Sequence, residues 1–448
     1  MAQILIKNCT LINRGKKVEG ASILIEGNRI GHIYHNEEEL PHVEKTLDAT
    51  GLICIPGVID DQVHFRDPGL THKGDIYTES RAALLGGVTS FMDMPNTKPQ
   101  TTTPEDWVNK MAIGAEKAWT NYAFYFGATN DNTHFIKEMS KNEHVPGVKV
   151  FMGASTGNML VDNERSLQSI FQETNGIVAT HCESEEIIRK NKGKYIDMYG
   201  EDPDVKYHPN IRSREACIAS STKAINLAKE SNANLHILHL STAEEVELIK
   251  NSPTHITAEV CVHHLWFDKS DYDRLGTKIK WNPAIKETSD RDALREAVRD
   301  GVISIVATDH APHLAEEKEG GALKAASGGP LIQYSLLMML ELVREGILSL
   351  ERVVEVMCHT PADRFKVINR GYLDVGYFAD ITLIDPNKSW TVEKDNIASK
   401  CGWSPLEGQT FHNCVQHVFV NGVLSLEDGR ILEESKGCAM PLTFSKDQ

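Results

Sequence analysis

Five short polar groups each close an apolar run in this chain: Gln62-Val63-His64-Phe65-Arg66, Lys149 in GVKVFMG, His181 in VATHCE, His239 in HILHLST and Asp309 in SIVATDHAPH. Imidazole, carboxylate and amine donors suit zinc better than a thiolate centre or the all-oxygen cage of calcium. On a strand, residues two apart share a face, so Gln62, His64 and Arg66 point one way while Val63 and Phe65 point the other. Lys149 sits between Val148 and Val150, where an inward-facing amine is costly unless paired or chemically altered. A salt-bridged structural lysine is the alternative reading at this point. His181 follows IVAT and His239 follows LHIL, which puts an imidazole at the end of each run. His236, three residues before His239, falls on the opposite strand face and reads as packing. Asp309 follows SIVAT, with His310 and His313 just beyond. A lone histidine is more often structural, but several at the ends of successive runs make a metal site the better reading.

Elements that could position such residues follow from the patterning. GVTSFMDM, YAFYFGAT, GVKVFMGA, GIVATHCE, NLHILHLS, THITAEVCVHH and VISIVATDH are strand-like, and between several of them lie helical segments such as TPEDWVNKMAIGAEKAW, REACIASSTKAINLAKES and TAEEVELIKNS. Ser241 or Thr242, followed by Glu244-Glu245, marks a helix N-terminus. Parallel strands joined by helices form a right-handed βαβ series. Ligand-type residues at successive strand ends describe the C-terminal face of a (β/α)8 barrel. Both chain ends have a different texture: ILIKNCTLI, ASILIEG and NRIGHIYH at the start, DITLID, CVQHVFVNGVLSL and GRILEE near the end, all short strands with turns. The expected architecture is α/β: a TIM-like barrel over 55–367, with 1–54 and 368–448 forming one small composite β-sandwich domain. HLAEEKEGGALKAASGG, 313–329, has neither period and is a lid candidate.

Bulk properties narrow the function classes. At 448 residues, 41% apolar and 25% charged, the chain suits a barrel of ~250 residues with additions. No apolar stretch approaches the ~18 residues of a membrane span, and the early charges of MAQILIKNCTLINRG do not fit a signal peptide. The nine cysteines lack CxxC pairing, which predicts reduced thiols in a cytoplasmic protein. A net charge of −16 without a basic stripe argues against nucleic acid. An anionic substrate would need a local positive site, a metal or an arginine.

PGVIDDQVHFRDPG, MDMPNTKP, GVKVFMGA, HCESE, HLST, ATDHAPH and GYLDVGYFADITLID resemble the cyclic amidohydrolases of the urease-related superfamily, most closely the dihydroorotase family, over nearly the whole chain. The resemblance implies a zinc enzyme of pyrimidine biosynthesis that reversibly closes N-carbamoyl-L-aspartate to L-dihydroorotate. It implies that Lys149 is carboxylated and bridges two zinc ions, that His181 and His239 bind one, and that His64 and Asp309 bind the other. Asp309 would be the catalytic acid–base. Arg66, Asn96 and His313 would hold the substrate carboxylate, Asn282 would contact the pyrimidine, and Ser327-Gly328 would offer a backbone contact. Hydantoinases and allantoinases share the metal frame but lack the arginine; they are the alternative activity. The usual HxH reads Gln62-Val63-His64 here, so Gln62 offers only an amide oxygen and either one or two zinc ions are expected. Loss of a ligand also fits a silent partner that supports aspartate transcarbamoylase. Retention of Lys149, His181, His239 and Asp309 favours an active enzyme. A homodimer is expected, with aspartate transcarbamoylase as a further candidate partner.

Overall fold

The computed structural model describes residues 3–35, 38–153 and 159–446; Ala154 of GVKVFMGA and the extreme ends lie outside that range. Eight parallel strands ring the barrel: Val58–Val63, Val88–Asp93, a third interrupted at Tyr125 (Asn121–Phe124 and Phe126–Gly127), Gly147–Phe151, Ile177–His181, Asn234–Ile237, Ile256–Cys261 and Ile305–Ala307. Most are buried on both faces, which is why they read as apolar runs rather than alternating ones. The ring closes through a parallel bridge between Val63 and His310, with the His64 amide donating to the His310 carbonyl at 2.8 Å. The Thr308 hydroxyl donates to Asp60 at 2.6 Å and locks last strand to first.

The helices follow the sequence cues. Pro104–Lys117 starts on the Thr103 cap, with proline in its first turn, and Arg214–Ser231 is one helix of 18 residues. Thr242, not Ser241, caps Ala243–Lys250: its hydroxyl accepts from the Glu245 amide, an interaction worth about 1 kcal/mol. THITAEVCVHH is strand only to Cys261. Val262–Trp266 turns into a short helix, with His263 stacked on Trp281 and the His264 ring 3.1 Å from the Pro283 carbonyl.

Both chain ends build a nine-stranded sheet. Its path runs Arg430–Ile431, Val423–Glu427, Cys414–Val420, Ile381–Asp385, Ile53–Pro56, Gln3–Asn13, Lys16–Glu26 and Arg29–Tyr34, with Lys45–Asp48 beside Gln3–Asn13. Asn421-Gly422, at φ 50° and 78°, makes the tight turn between two of these strands. The sheet covers its own core of residues such as Ile6, Ile23, Ile25, Ile381 and Phe419. After it the chain runs back to the barrel, where the Leu442 amide bonds the Tyr122 carbonyl at 2.8 Å and Leu442 and Phe444 join a barrel cluster. All nine cysteines are unpaired. Among the described residues no helix is long and apolar enough to cross a membrane.

Candidate active site

Gln62, His64, Arg66, Asn96, Lys149, His181, His239, Asn282, Asp309, His313, Ser327 and Gly328 all line one cavity of about 1010 Å³ at the strand ends. Every site residue singled out in the sequence is therefore brought to one place. Three of them, Arg66, His239 and Asp309, have left-handed φ of 70°, 40° and 47°. Non-glycine residues rarely adopt that conformation, and it clusters at functional sites. Here it turns each side chain off the end of its strand into the cavity.

Nδ1 of His181 and Nε2 of His239 stand 3.0 Å apart. Nε2 of His64 is 3.0 Å from Asp309 Oδ1, and the Gln62 amide donates to the same oxygen at 3.2 Å. Lys149 is 1% exposed, its ammonium 4.6 Å from the Phe151 ring centre. Burial pushes that ammonium down to about 8, against the pull of Asp309 and Glu259. Burial also lowers both imidazoles, His239 strongly, with His181 and Lys149 adding to it. Neutral imidazoles, a carboxylate and an amine of lowered basicity are the state in which these groups bind a divalent cation. The donor set therefore fits zinc.

The surroundings brace this arrangement. Asp93, at the end of its strand, accepts from the Phe65 amide at 2.7 Å and pairs with buried Lys110 at 2.6 Å. One turn pair further along the same helix, Lys117 pairs with Asp67 at 2.8 Å, so one helix face fixes both ends of the His64–Asp67 segment. Sequence reasoning missed Glu183, which lies 3.1 Å from His181 Nε2 and is paired with Arg212. Its position two residues after His181 was the available signal. Against the cost of burial, Arg212 and then His181 hold the Glu183 carboxyl down at about 2.

His236 needs a correction. It does not face away from the barrel interior but joins Asp61 and Glu259 in a fully buried layer, with ligand atoms all within 4.8 Å of one another. The strand ends at Ile237 and His239 is left-handed, so alternation cannot be counted across the three residues. A register shift between Asp60 and Val63 likewise turns Asp61 inward. His310 is structural: its Nε2 bonds Glu79 at 2.8 Å, and its Nδ1 accepts from the Leu331 and Ile332 amides.

Arg66 is 7% exposed; it donates to the Pro312 carbonyl and lies 3.0 Å from His313 Nε2. No carboxylate among the described residues forms an ion pair with it. Asn96 Oδ1 is 2.7 Å from His64 Nδ1. The segment 313–329 is a folded strap rather than a plain loop. Asp202 accepts from the Gly321, Leu323 and Lys324 amides, and buried Lys318 donates to the Lys280, Ala326 and Gly328 carbonyls. Gly328, at φ 123°, leaves no room for a Cβ, which would meet the Ala311 carbonyl at 2.6 Å. Seven lysines and arginines line the cavity against two carboxylates, Glu185 and Asp309. This is the local positive site that a chain of charge −16 needs for an anionic substrate.

Lys280, like Lys149, is a lining cation whose basicity burial lowers into an accessible range. Burial, and then Arg212, push Lys280 down to about 8. Above that pH the ammonium loses its charge, so KM for an anionic substrate is expected to rise from about pH 8. Lys280→Met should flatten that rise, and an identical KM–pH profile in the variant would contradict it.

Residues 53–424 match the amidohydrolase family. The chain belongs to that family. It is 33% identical over 423 residues to the dihydroorotase of Methanosarcina acetivorans, covering 91% of this chain and 89% of that one. It is 32% identical over 402 residues to the dihydroorotase of Pyrococcus abyssi, covering 89% and 90%. Among solved structures, the L-hydantoinase (dihydropyrimidinase) of Arthrobacter aurescens superposes with a TM-score of 0.94 at 29% identity, covering 99% of this chain and 100% of that one. The TIM-like barrel with its composite β domain is thus a family architecture, and the protein is a hydrolase of this family.

Proposed function

We propose that this amidohydrolase is a zinc-dependent dihydroorotase that interconverts L-dihydroorotate and water with N-carbamoyl-L-aspartate. The observation that carries the substrate is Arg66, a buried guanidinium without a carboxylate partner among the described residues, facing the same cavity as the His181–His239 pair. A guanidinium taken out of water needs an anion, and its fork suits a carboxylate. A hydantoin or an unsubstituted dihydropyrimidine brings none. His313 lies beside Arg66, Asn96 lines the same cavity against His64, and the buried Asn282 Oδ1 has no hydrogen-bond partner among the described residues, leaving it open to a ring N–H. Ser327 and Gly328 line the cavity beside His313.

His181 and His239 would hold one zinc, His64 and Asp309 a second, with Lys149, as a carbamate, between them. When bound, zinc supplies Lewis-acid polarisation of the ring amide carbonyl and acidifies water. Asp309 takes the proton from the attacking water and delivers it to the departing ring nitrogen, and the reverse in ring closure. The enzyme reading extends to a cytoplasmic homodimer able to associate with aspartate transcarbamoylase. Its catalytic unit is 55–367, with 1–54 and 368–448 as the composite part.

Offering the zinc-loaded protein dihydroorotate and 5,6-dihydrouracil side by side tests the substrate. A large preference for dihydroorotate is expected, and a preference for the neutral ring would turn the reading to a hydantoinase. Gln62 bears on the metal count. Its amide is spent on Asp309, and its Oε1 is 3.8 Å from Cys261 Sγ. Losing an imidazole at the His64–Asp309 site should weaken zinc there by at least about tenfold. Limiting zinc is therefore expected to fill the His181–His239 site first, and Gln62→His to raise occupancy of the other. Equal filling of both sites in the native chain would contradict this.

A further inference from the structure

His313, the ring beside Arg66, is gripped from behind by an ion pair that the proposed chemistry has not used. Its Nδ1 is 3.1 Å from Lys73 Nζ and 3.1 Å from Glu317 Oε2, and those two pair at 3.0 Å. Its Nε2 is 3.0 Å from Arg66 Nη2, and the Ser327 carbonyl also bonds the ring. A guanidinium and an ammonium can each only donate, so Arg66 calls for the lone pair on Nε2 and Lys73 for the lone pair on Nδ1, and a neutral ring has only one; with Glu317 also at Nδ1 to accept a proton, Arg66 and Glu317 together favour the Nδ1–H form. The neutral ring then carries its proton on Nδ1 and donates it to Glu317, while Lys73 donates to Glu317 as well. In that state His313 has no donor to offer a substrate. A carboxylate drawn to Arg66 would meet the Nε2 lone pair and be repelled. With the proton on Nε2 the ring donates to the anion, and the lone pair left on Nδ1 is already within reach of the Lys73 ammonium.

We propose that Lys73 and Glu317 are positioning residues that select the tautomer of His313. Glu317 holds the Nδ1–H form in the free enzyme, and Lys73 holds the Nε2–H form once a carboxylate binds. The ring stays neutral throughout: it releases the Nδ1 proton to water and takes one from water at Nε2. Arg66 and Nε2–H then both donate to the anion, so recognition of a carboxylate is coupled to the strap that carries Glu317. The inference rests on the carboxylate reading of Arg66 and adds the residues that make His313 fit for it.

Ring-nitrogen NMR of the zinc-loaded, ¹⁵N-histidine protein, with His313 assigned through His313→Asn, tests it. Free enzyme is expected to show Nδ1–H, and enzyme saturated with dihydroorotate Nε2–H. Glu317→Leu, which removes the acceptor and leaves Lys73 alone at Nδ1, should shift the free ring towards Nε2–H without ligand. Lys73→Gln should raise KM for dihydroorotate about tenfold with kcat held within about twofold, and Lys73→Arg should restore KM. An unchanged tautomer on binding, an unchanged ring in Glu317→Leu, or a loss in Lys73→Gln confined to kcat would each overturn the inference while leaving dihydroorotate as the substrate. Failure of dihydroorotate to bind at all would overturn the proposed function and the inference with it.

Discussion

Replacing Arg66 with methionine is expected to cut kcat/KM for dihydroorotate by roughly 30- to 4000-fold while zinc content stays at the native level. Losing charge-assisted hydrogen bonds to a buried carboxylate costs on the order of 2–5 kcal/mol. Methionine keeps most of the side-chain volume, and Arg66 is not among the residues that would hold zinc. The Pro312 carbonyl and His313 would lose a donor, so part of the effect will be local loosening of the strap. Zinc analysis and the thermal midpoint separate that from loss of the substrate contact. An unchanged kcat/KM would remove the carboxylate role from Arg66 and return the hydantoinase reading.

Asp309→Asn should be the more damaging change for chemistry. A positioned acid–base group contributes typically about 10²–10⁴-fold, and asparagine, of the same shape, neither takes nor gives the proton. Loss is expected in ring opening and ring closure alike, measured on protein whose fold is checked by circular dichroism and whose zinc content matches the native level. Asparagine keeps an oxygen for the Gln62 amide and for His64, so the local hydrogen bonds persist. Native-like turnover in this variant would mean that another group moves the proton.

The site was legible in the sequence where chemistry and secondary structure share a signal. Strands buried on both faces read as apolar runs, so Lys149, His181 and Asp309 stood out as polar residues within or at the ends of such runs. The two-residue period failed wherever the backbone left the extended region. His236 and His239 could not be phased across a strand end, and Asp61 could not be placed across a register shift. The left-handed turns at Arg66, His239 and Asp309 gave no warning, because no glycine or asparagine marks them. Partners distant in sequence were also out of reach. Lys73 and Glu317 are 244 residues apart and meet only because the strap folds over the barrel mouth. That strap lacked any period in the sequence because backbone carbonyls around Lys318 and amides around Asp202 hold it, not a regular ladder.

Anomalous zinc scattering from crystals grown with zinc and dihydroorotate tests most directly whether metal and carboxylate share the cavity, the one at the imidazole pair and the other at Arg66. Zinc is expected at His181 and His239, beside Lys149, with the ligand carboxylate on Arg66. Zinc in the buried Asp61–His236–Glu259 layer instead, or a carboxylate bound away from Arg66, would contradict it.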